Sequence, residues 1–191
     1  RANDLIWHFF VNNYLKGKSP DAFDILYWNS DSTRLPRKMH SFYLREMYLN
    51  NSLAKPDVLE IQGTKIDITK ISTPSCFVSA VEDHIAPWRS TFAGAKLLGG
   101  EKTFILTNGG HVAGIVNPVE SSRYSHYVSK LEFKSPDEWL ESAKNMKASW
   151  WITWSSWLAD NSGSRIKALN INPKSVIEDA PGSYVRSNYE D

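Results

Sequence analysis

The sequence predicts an α/β fold in which parallel strands are joined by a crossover helix and preceded by a largely helical segment. Two short apolar runs, at 74–81 and 102–107, have the length of strands buried in a sheet. Between them, 88–100 has the pattern of a helix that stops at its final pair of glycines. A strand, a helix and a strand in this order form a β-α-β unit, so the two strands are expected to be parallel neighbours.

The first third of the chain has helical and loop character without a sheet pattern. Residues 1–16 carry apolar side chains four positions apart and predict a helix that ends at Gly17. Residues 37–53 predict a second helix, which closes before Pro56. We therefore interpret 1–56 as part of a cap subdomain.

The remaining segments complete the predicted organisation. Two alternating runs around Gln62-Gly63-Thr64 predict a hairpin. Ser135 at the N-cap position begins another helix. Residues 57–130 are then the carboxyl-terminal part of an α/β core, and 131–191 are helices and a tail that pack on it.

Composition excludes several classes of protein. The 22 Lys and Arg residues nearly balance the 21 Asp and Glu residues, so no strong positive field favours nucleic acid. Cys76 is the only cysteine, which excludes an internal disulfide and suits a reducing, cytoplasmic compartment. The absence of an 18-residue apolar stretch predicts no transmembrane segment. We also predict no metal site.

An acid and an imidazole follow the two predicted parallel strands. Asp83 lies in "VSAVEDHIAPWRS" and His111, 28 positions later, lies in "TNGGHVAGIVNP". The carboxyl ends of neighbouring parallel strands open on one edge of a sheet, so these side chains are expected to be within reach. A carboxylate bound to one imidazole nitrogen leaves the other free to accept a proton from a nucleophile. Gly109 and Gly110 are expected to let the backbone turn sharply before the ring.

The nucleophile of such a triad is not evident from the residues. The Asp-then-His order is that of α/β-hydrolases, whose nucleophile lies in a Gly-x-Ser-x-Gly or Gly-x-Cys-x-Gly turn, and this chain has no such pattern. Cys76 begins a buried strand, far from the end that carries Asp83, and is expected to be a packing residue. Glu82 and His84 compete for the acid and base roles, although Glu82 is expected to point away.

Six blocks, in order along the chain, resemble the carboxyl-terminal portion of class I poly(3-hydroxyalkanoate) synthases. They are "RANDLIWHFFVNNYLKGKSPDAFDILYWNSDSTRLP", "SFYLREMYL", "EDHIAPW", "GGHVAGIVNP", "SWWITWSSWL" and "APGSYV". The resemblance implies the carboxyl-terminal half of an α/β-hydrolase fold preceded by part of a helical cap. It also implies polymerisation of (R)-3-hydroxyacyl-CoA, such as 3-hydroxybutyryl-CoA, with release of CoA.

The resemblance further implies roles for individual residues. Asp83 and His111 match the catalytic Asp and His, whereas the nucleophile is a Cys upstream of this chain that Cys76 does not match. No cofactor is implied, since the CoA thioester is the substrate. The implied partners are the growing polyester chain, the granule surface in the cytoplasm and a second copy of the protein in a homodimer.

Two residues are candidates for substrate binding. Arg123, twelve positions after His111, is expected to contact the CoA phosphates, and His84 is expected to line the site. Two other functions remain open: an α/β-hydrolase esterase or depolymerase, which adds water to the acyl group, and a non-catalytic module that binds granules or a partner.

Overall fold

The computed structural model describes residues 6–19, 34–120, 123–132 and 134–186. The chain divides into two compact units, Arg1–Ile66 and Asp67–Asp191. Residues 1–5 of the first predicted helix and 20–33 of the predicted cap lie outside the described residues.

The first unit contains the predicted helices and the predicted hairpin. Gly17, with a φ of 61°, follows the first helical segment, as predicted. Gln62 and Gly63 both have positive φ, as a two-residue type I′ hairpin turn requires. The elements of this unit are a π-type helix (Phe10–Leu15), α1 (Arg37–Tyr43), a second π-type helix (Leu44–Leu49), a 3-10 turn (Ser52–Ala54), β1 (Glu60–Ile61) and β2 (Thr64–Lys65).

The second unit is built on a four-stranded mixed sheet in the order β3-β4-β5-β6. Its strands are β3 (Ser75–Ala80), β4 (Lys102–Thr107), β5 (His126–Lys130) and β6 (Lys144–Met146). Strands β3 and β4 are parallel, as predicted, and β5 and β6 add in antiparallel orientation. Its helices are α2 (Trp88–Ala95), α3 (Pro136–Ser142) and α4 (Trp150–Asn161).

An aromatic core covers one face of this sheet. The ring of Trp139 in α3 lies 5.0 Å from that of Phe104 in β4, centroid to centroid, and Phe92 in α2 lies 5.6 Å from Phe104. All three side chains are buried. Because side chains alternate along a strand, Ile105 and Thr107 face the opposite side of β4, where α4 packs.

Helix α4 is tied to this opposite face through a buried histidine. His126 in β5 is fully buried, and its Nε2 lies 2.7 Å from Oγ1 of Thr153 in α4. Its Nδ1 lies 2.8 Å from the carbonyl oxygen of Ala148, so Nδ1–H donates to that oxygen and Nε2 accepts from the hydroxyl. The sheet is therefore covered by α2 and α3 on one side and by α4 on the other.

Strand β3 differs from its prediction in burial. It was expected to be buried on both faces, yet Ser75, Cys76, Phe77 and Val78 are only partly buried, whereas the second half of β4 is fully buried. The reason is position, since β3 lies at the edge of the sheet formed by the described residues.

Across the part of the chain that the structure describes, the helices agree with the predicted start of α3 and with the predicted absence of a membrane span. The Ser135 hydroxyl accepts a hydrogen bond from the Glu138 N–H at 3.2 Å, which confirms the predicted N-cap of α3. None of the helices within the described residues is long and apolar enough to span a bilayer.

Candidate active site

The carboxyl ends of β3 and β4 lie side by side and carry the two predicted site residues. Ala80, the last residue of β3, pairs with Thr107, the last residue of β4. The parallel ladder continues beyond both strands, because the Glu82 N–H donates to the Gly109 carbonyl at 2.9 Å. The loop with Asp83 is thus bonded directly to the loop that leads to His111.

Asp83 is held by three hydrogen bonds. Its Oδ1 accepts from the backbone N–H groups of Ile85 and Ala86, both at 2.9 Å, and its Oδ2 lies 2.8 Å from Nδ1 of His111. Only 7% of the Asp83 side chain is exposed. Desolvation acts to raise the pKa of Asp83, but the bonds from Ala86, His111 and Ile85 outweigh it, so the pKa lies below its ordinary value. The carboxylate is therefore ionised and fixed in orientation.

His111 is bound on one side and open on the other. A carboxylate can only accept, so Nδ1–H donates to Asp83 and Nε2 carries the free lone pair. The side chain is 46% exposed, and Nε2 has no hydrogen-bond partner among the described residues. The pair is thus arranged to accept a proton at Nε2 from a group that approaches from solvent.

Two glycines shape the loop that carries His111. Gly109 has a φ of +101°, and a Cβ added there would lie 3.1 Å from the Tyr124 ring. A Cβ added at Gly114 would lie 2.9 Å from the Gly110 carbonyl oxygen, so this close approach also requires glycine. By contrast, Gly110 has open space around it and a φ outside the left-handed region. Of the two predicted glycines, only Gly109 is required by its conformation, and Gly114 was missed.

The loop is fixed further along by a buried asparagine. Asn117 is 1% exposed, its Nδ2 donates to the Tyr124 carbonyl at 2.8 Å, and its own carbonyl accepts from the Ser149 hydroxyl. In addition, the Thr107 hydroxyl donates to the Gly114 carbonyl at 3.0 Å. The segment after His111 is consequently bonded to β4, to the residue before α4 and to the approach to β5.

Comparison with known proteins identifies the family. The chain is 44% identical over 187 residues to poly(3-hydroxyalkanoate) polymerase subunit PhaC of Rhizobium meliloti (strain 1021), a match that covers 97% of this chain and 30% of that protein. It is 39% identical over 191 residues to the subunit of the same name from Cupriavidus necator, covering 98% of this chain and 32% of that one. The chain belongs to the poly(3-hydroxyalkanoate) polymerase family.

The matches cover nearly all of this chain but only part of each relative. A poly(3-hydroxyalkanoate) polymerase of Methylorubrum extorquens is 40% identical over 189 residues, with 97% of this chain and 31% of that protein covered. The chain thus spans about three-tenths of the length of the curated relatives it matches. No protein-family model matches it.

The remaining predicted site residues make no hydrogen bond to Asp83 or His111 among the described residues. Arg123 is exposed and its guanidinium lies 5.4 Å from the centre of the Tyr124 ring, the ring that a Cβ added at Gly109 would approach to 3.1 Å. His84 and Glu82 are both exposed, and neither hydrogen-bonds through its side chain to Asp83 or His111. The structure thus brings Asp83 and His111 together and excludes Glu82 and His84 from the hydrogen-bonded pair.

Cys76 lies at the opposite end of β3 from Asp83. It pairs with Thr103 near the start of β4, and burial raises the pKa of its thiol to about 11. A thiol with that pKa is almost entirely protonated at neutral pH and is a poor nucleophile. Position and ionisation both agree with the prediction that Cys76 is a packing residue.

Proposed function

We propose that this chain supplies the Asp and the His of a Cys-His-Asp triad in a polyester synthase that polymerises (R)-3-hydroxyacyl-CoA, such as 3-hydroxybutyryl-CoA, and releases CoA. The observation that carries the proposal is the 2.8 Å contact between Asp83 Oδ2 and His111 Nδ1 at adjacent strand ends, in a chain of this family. The nucleophile in this proposal is a cysteine outside the 191 residues.

The first half of the proposed cycle loads the enzyme. Nε2 of His111 accepts the thiol proton, and the thiolate attacks the thioester carbonyl of the substrate. One thioester replaces another, so the exchange is close to balanced in free energy. The departing CoA thiolate takes the proton back from Nε2. The carboxylate of Asp83 stabilises the transient imidazolium and keeps Nδ1 protonated.

The second half extends the polymer and needs a stronger proton acceptor, because a hydroxyl is far less acidic than a thiol. The incoming 3-hydroxyl attacks the carbonyl of the acyl-enzyme and gives its proton to the base. An ester bond forms, the thioester bond breaks, and the cysteine leaves as a thiolate that takes the proton back from the base. Asp83 is poorly placed to accept that proton directly, since Oδ1 holds two N–H groups and Oδ2 holds His111. The exposed Nε2 of His111 is better placed, so we assign it as the general base in both halves.

Contacts with the rest of the substrate belong to the same proposal. Arg123 contacts the CoA phosphates, supported by its exposure and by its stacking on a ring that touches the His111 loop. His84, exposed beside Asp83, lines the acyl path.

The first unit supplies the proposed contact with polyester, the granule surface or a second copy of the protein in a homodimer. It exposes large aromatic side chains: Trp7 is 53% exposed, Tyr14 is 76% exposed and Tyr48 is 73% exposed. Such a surface suits an apolar partner.

The test uses the full-length polymerase and follows both CoA release and polymer formation from 3-hydroxybutyryl-CoA. His111→Ala should lower the rate of CoA release by about a thousandfold or more, because it removes the proton acceptor of both steps. His40→Ala, an exposed histidine in α1, is the matched control and should keep the normal rate. A His111→Ala rate equal to that of His40→Ala would exclude the proposal. Release of monomeric acid without polymer in the unmodified enzyme would instead favour the esterase.

A further inference from the structure

Two tryptophan side chains converge on one backbone carbonyl in the loop that follows His111. The indole Nε1–H of Trp150 donates to the Ile115 carbonyl oxygen at 2.9 Å, and that of Trp151 donates to the same oxygen at 3.1 Å. A carbonyl oxygen has two lone pairs, so it can accept both bonds. Trp150 is only 9% exposed, which makes it a rigid donor.

The carbonyl that they hold is connected to His111 through one compact turn. The Gly114 N–H donates to the Gly110 carbonyl at 2.9 Å, and the Val116 N–H donates to the Val112 carbonyl at 2.8 Å. The Ile115 N–H also donates to Val112, at 3.1 Å. These bonds join residues 110–116 into a single turn. When the position of the Ile115 oxygen is fixed, the backbone that carries the His111 side chain is fixed as well.

His111 needs such external support because its own side chain has little. Nearly half of the ring is exposed, and its only hydrogen bond among the described residues is to Asp83. Asp83 sets the rotation of the imidazole, but it does not hold the backbone on the far side of the turn. Helix α4, which begins at Trp150, supplies that hold from the face of the sheet where His126 anchors it.

We propose that Trp150 and Trp151 are positioning residues for His111, with two indole donors on one carbonyl that keep Nε2 at the distance the nucleophile requires. The inference rests on the proposed function, since it concerns the rate at which His111 transfers protons. The two donors are redundant, because either indole alone keeps the shared carbonyl bonded. Loss of both loosens the turn around His111, although the bonds that the Thr107 and Ser149 hydroxyls donate to this loop remain.

The experiment compares four variants of the full-length polymerase: Trp150→Phe, Trp151→Phe, the double variant and Trp157→Phe. Phenylalanine keeps an aromatic ring and deletes the N–H. Trp157 lies in the same helix, is half-buried and has no hydrogen bond from its indole within the described residues, so it is the matched control. The rapid first release of CoA counts the competent sites, and the subsequent rate is expressed per competent site.

Each single variant should lower the rate per site by about two- to fivefold. The double variant should lower it by about 10- to 100-fold, the range expected for a misplacement of order 1 Å, with KM changed less than about twofold. Trp157→Phe should match the unmodified enzyme. A purely structural role would instead reduce the number of competent sites and leave the rate per site unchanged.

The controls separate this inference from the proposed function. If His111→Ala keeps the normal rate, the proposed function is wrong. If His111→Ala is inactive but the double variant matches Trp157→Phe per site, the positioning role is wrong while the proposed function stands. If the double variant does not fold, the single variants Trp150→Phe and Trp151→Phe decide the question. The inference would be overturned if both have the same rate per competent site as Trp157→Phe.

Discussion

Asp83→Asn tests the acid–imidazole pair with the smallest possible change. The amide oxygen can still accept from the N–H groups of Ile85 and Ala86, so the loop keeps its local bonds. The amide nitrogen then faces Nδ1 of His111, and two N–H donors oppose each other across the former 2.8 Å contact. The imidazole relieves this conflict by moving its proton to Nε2. This move removes the lone pair that, in the proposed reaction, accepts the proton of the thiol or the hydroxyl.

The size of the effect follows from the bonds that are lost. In Asp83→Asn, the tautomer with its proton on Nδ1 loses one charge-assisted hydrogen bond, which contributes about 1.5–3 kcal/mol. It also leaves the Nδ1–H donor unpaired, at a cost of about 1–3 kcal/mol. The total of roughly 2.5–6 kcal/mol, at about 1.4 kcal/mol per factor of ten, corresponds to a loss of about 60-fold to 2 × 10⁴-fold in kcat. In the proposed reaction the pair transfers protons and does not bind the thioester, so KM should change little.

The assay is steady-state CoA release by the full-length polymerase, with Asp137→Asn as the matched control. Asp137 also makes a paired contact, to Arg89, but both side chains are more than half exposed and remote in sequence from the His111 loop. Exposed pairs of this kind contribute little, so Asp137→Asn should keep normal turnover. A rate for Asp83→Asn within about threefold of the control would refute the reasoning.

Two further predictions concern ionisation elsewhere in the second unit. Burial lowers the pKa of His126 despite the opposing bond to the Ala148 carbonyl, so its stabilising effect is present above the unfolded pKa of about 6.5 and is lost as pH falls through the folded value. The free energy of unfolding, measured with urea, should therefore fall less between about pH 7.5 and 5 in His126→Gln than in the unmodified protein. An equal fall in both proteins would contradict this prediction. The thiol of Cys76 has a pKa of about 11. At pH 8 it should therefore react with iodoacetamide about 100-fold more slowly in the native polymerase than after unfolding, as measured by mass spectrometry of the peptide that contains it. Equal rates would show that the thiol is not shielded.

The juxtaposition of Asp83 and His111 could be predicted because it depends on topology rather than on side-chain detail. A β-α-β unit makes its two strands parallel, and parallel strands present their following loops at the same edge. The 28-residue spacing accommodates one helix and one strand, which is what the structure contains in α2 and β4. Glu82 was expected to point away from the pair, whereas the role of His84 could not be decided from sequence, because it depends on the turn that the loop adopts.

Strands β5 and β6 could not be predicted because their sequences carry little strand pattern. The residues of β5 are His-Tyr-Val-Ser-Lys and those of β6 are Lys-Asn-Met. Neither run is apolar or clearly alternating, and β6 has only three residues. They form strands because β4 offers a backbone edge to β5, because β5 in turn pairs with β6, and because α4 covers His126 on one face. Tertiary pairing, rather than local propensity, decides their structure.

The tryptophans of α4 show a further limit of sequence reasoning. Trp150 and Trp151 are the first two residues of this helix. Their hydrogen-bond acceptor is the backbone of Ile115, and a carbonyl is present at every residue, so no side-chain type in the loop identifies it. Roles of this kind become visible only when the loop and the helix are placed together.

The groups that set the charge and orientation of Asp83 and His111 lie within this chain, whereas the nucleophile of the proposed reaction does not. Two backbone N–H groups and the Nδ1–H of His111 together keep Asp83 ionised and oriented. His111 therefore has its tautomer assigned before a nucleophile or substrate arrives, and only Nε2 is left open. Preorganisation of this kind removes reorganisation from the chemical step. The same dyad can then serve an acidic thiol and a weakly acidic hydroxyl in turn, because what changes between the two half-reactions is the group that approaches Nε2, not the dyad itself.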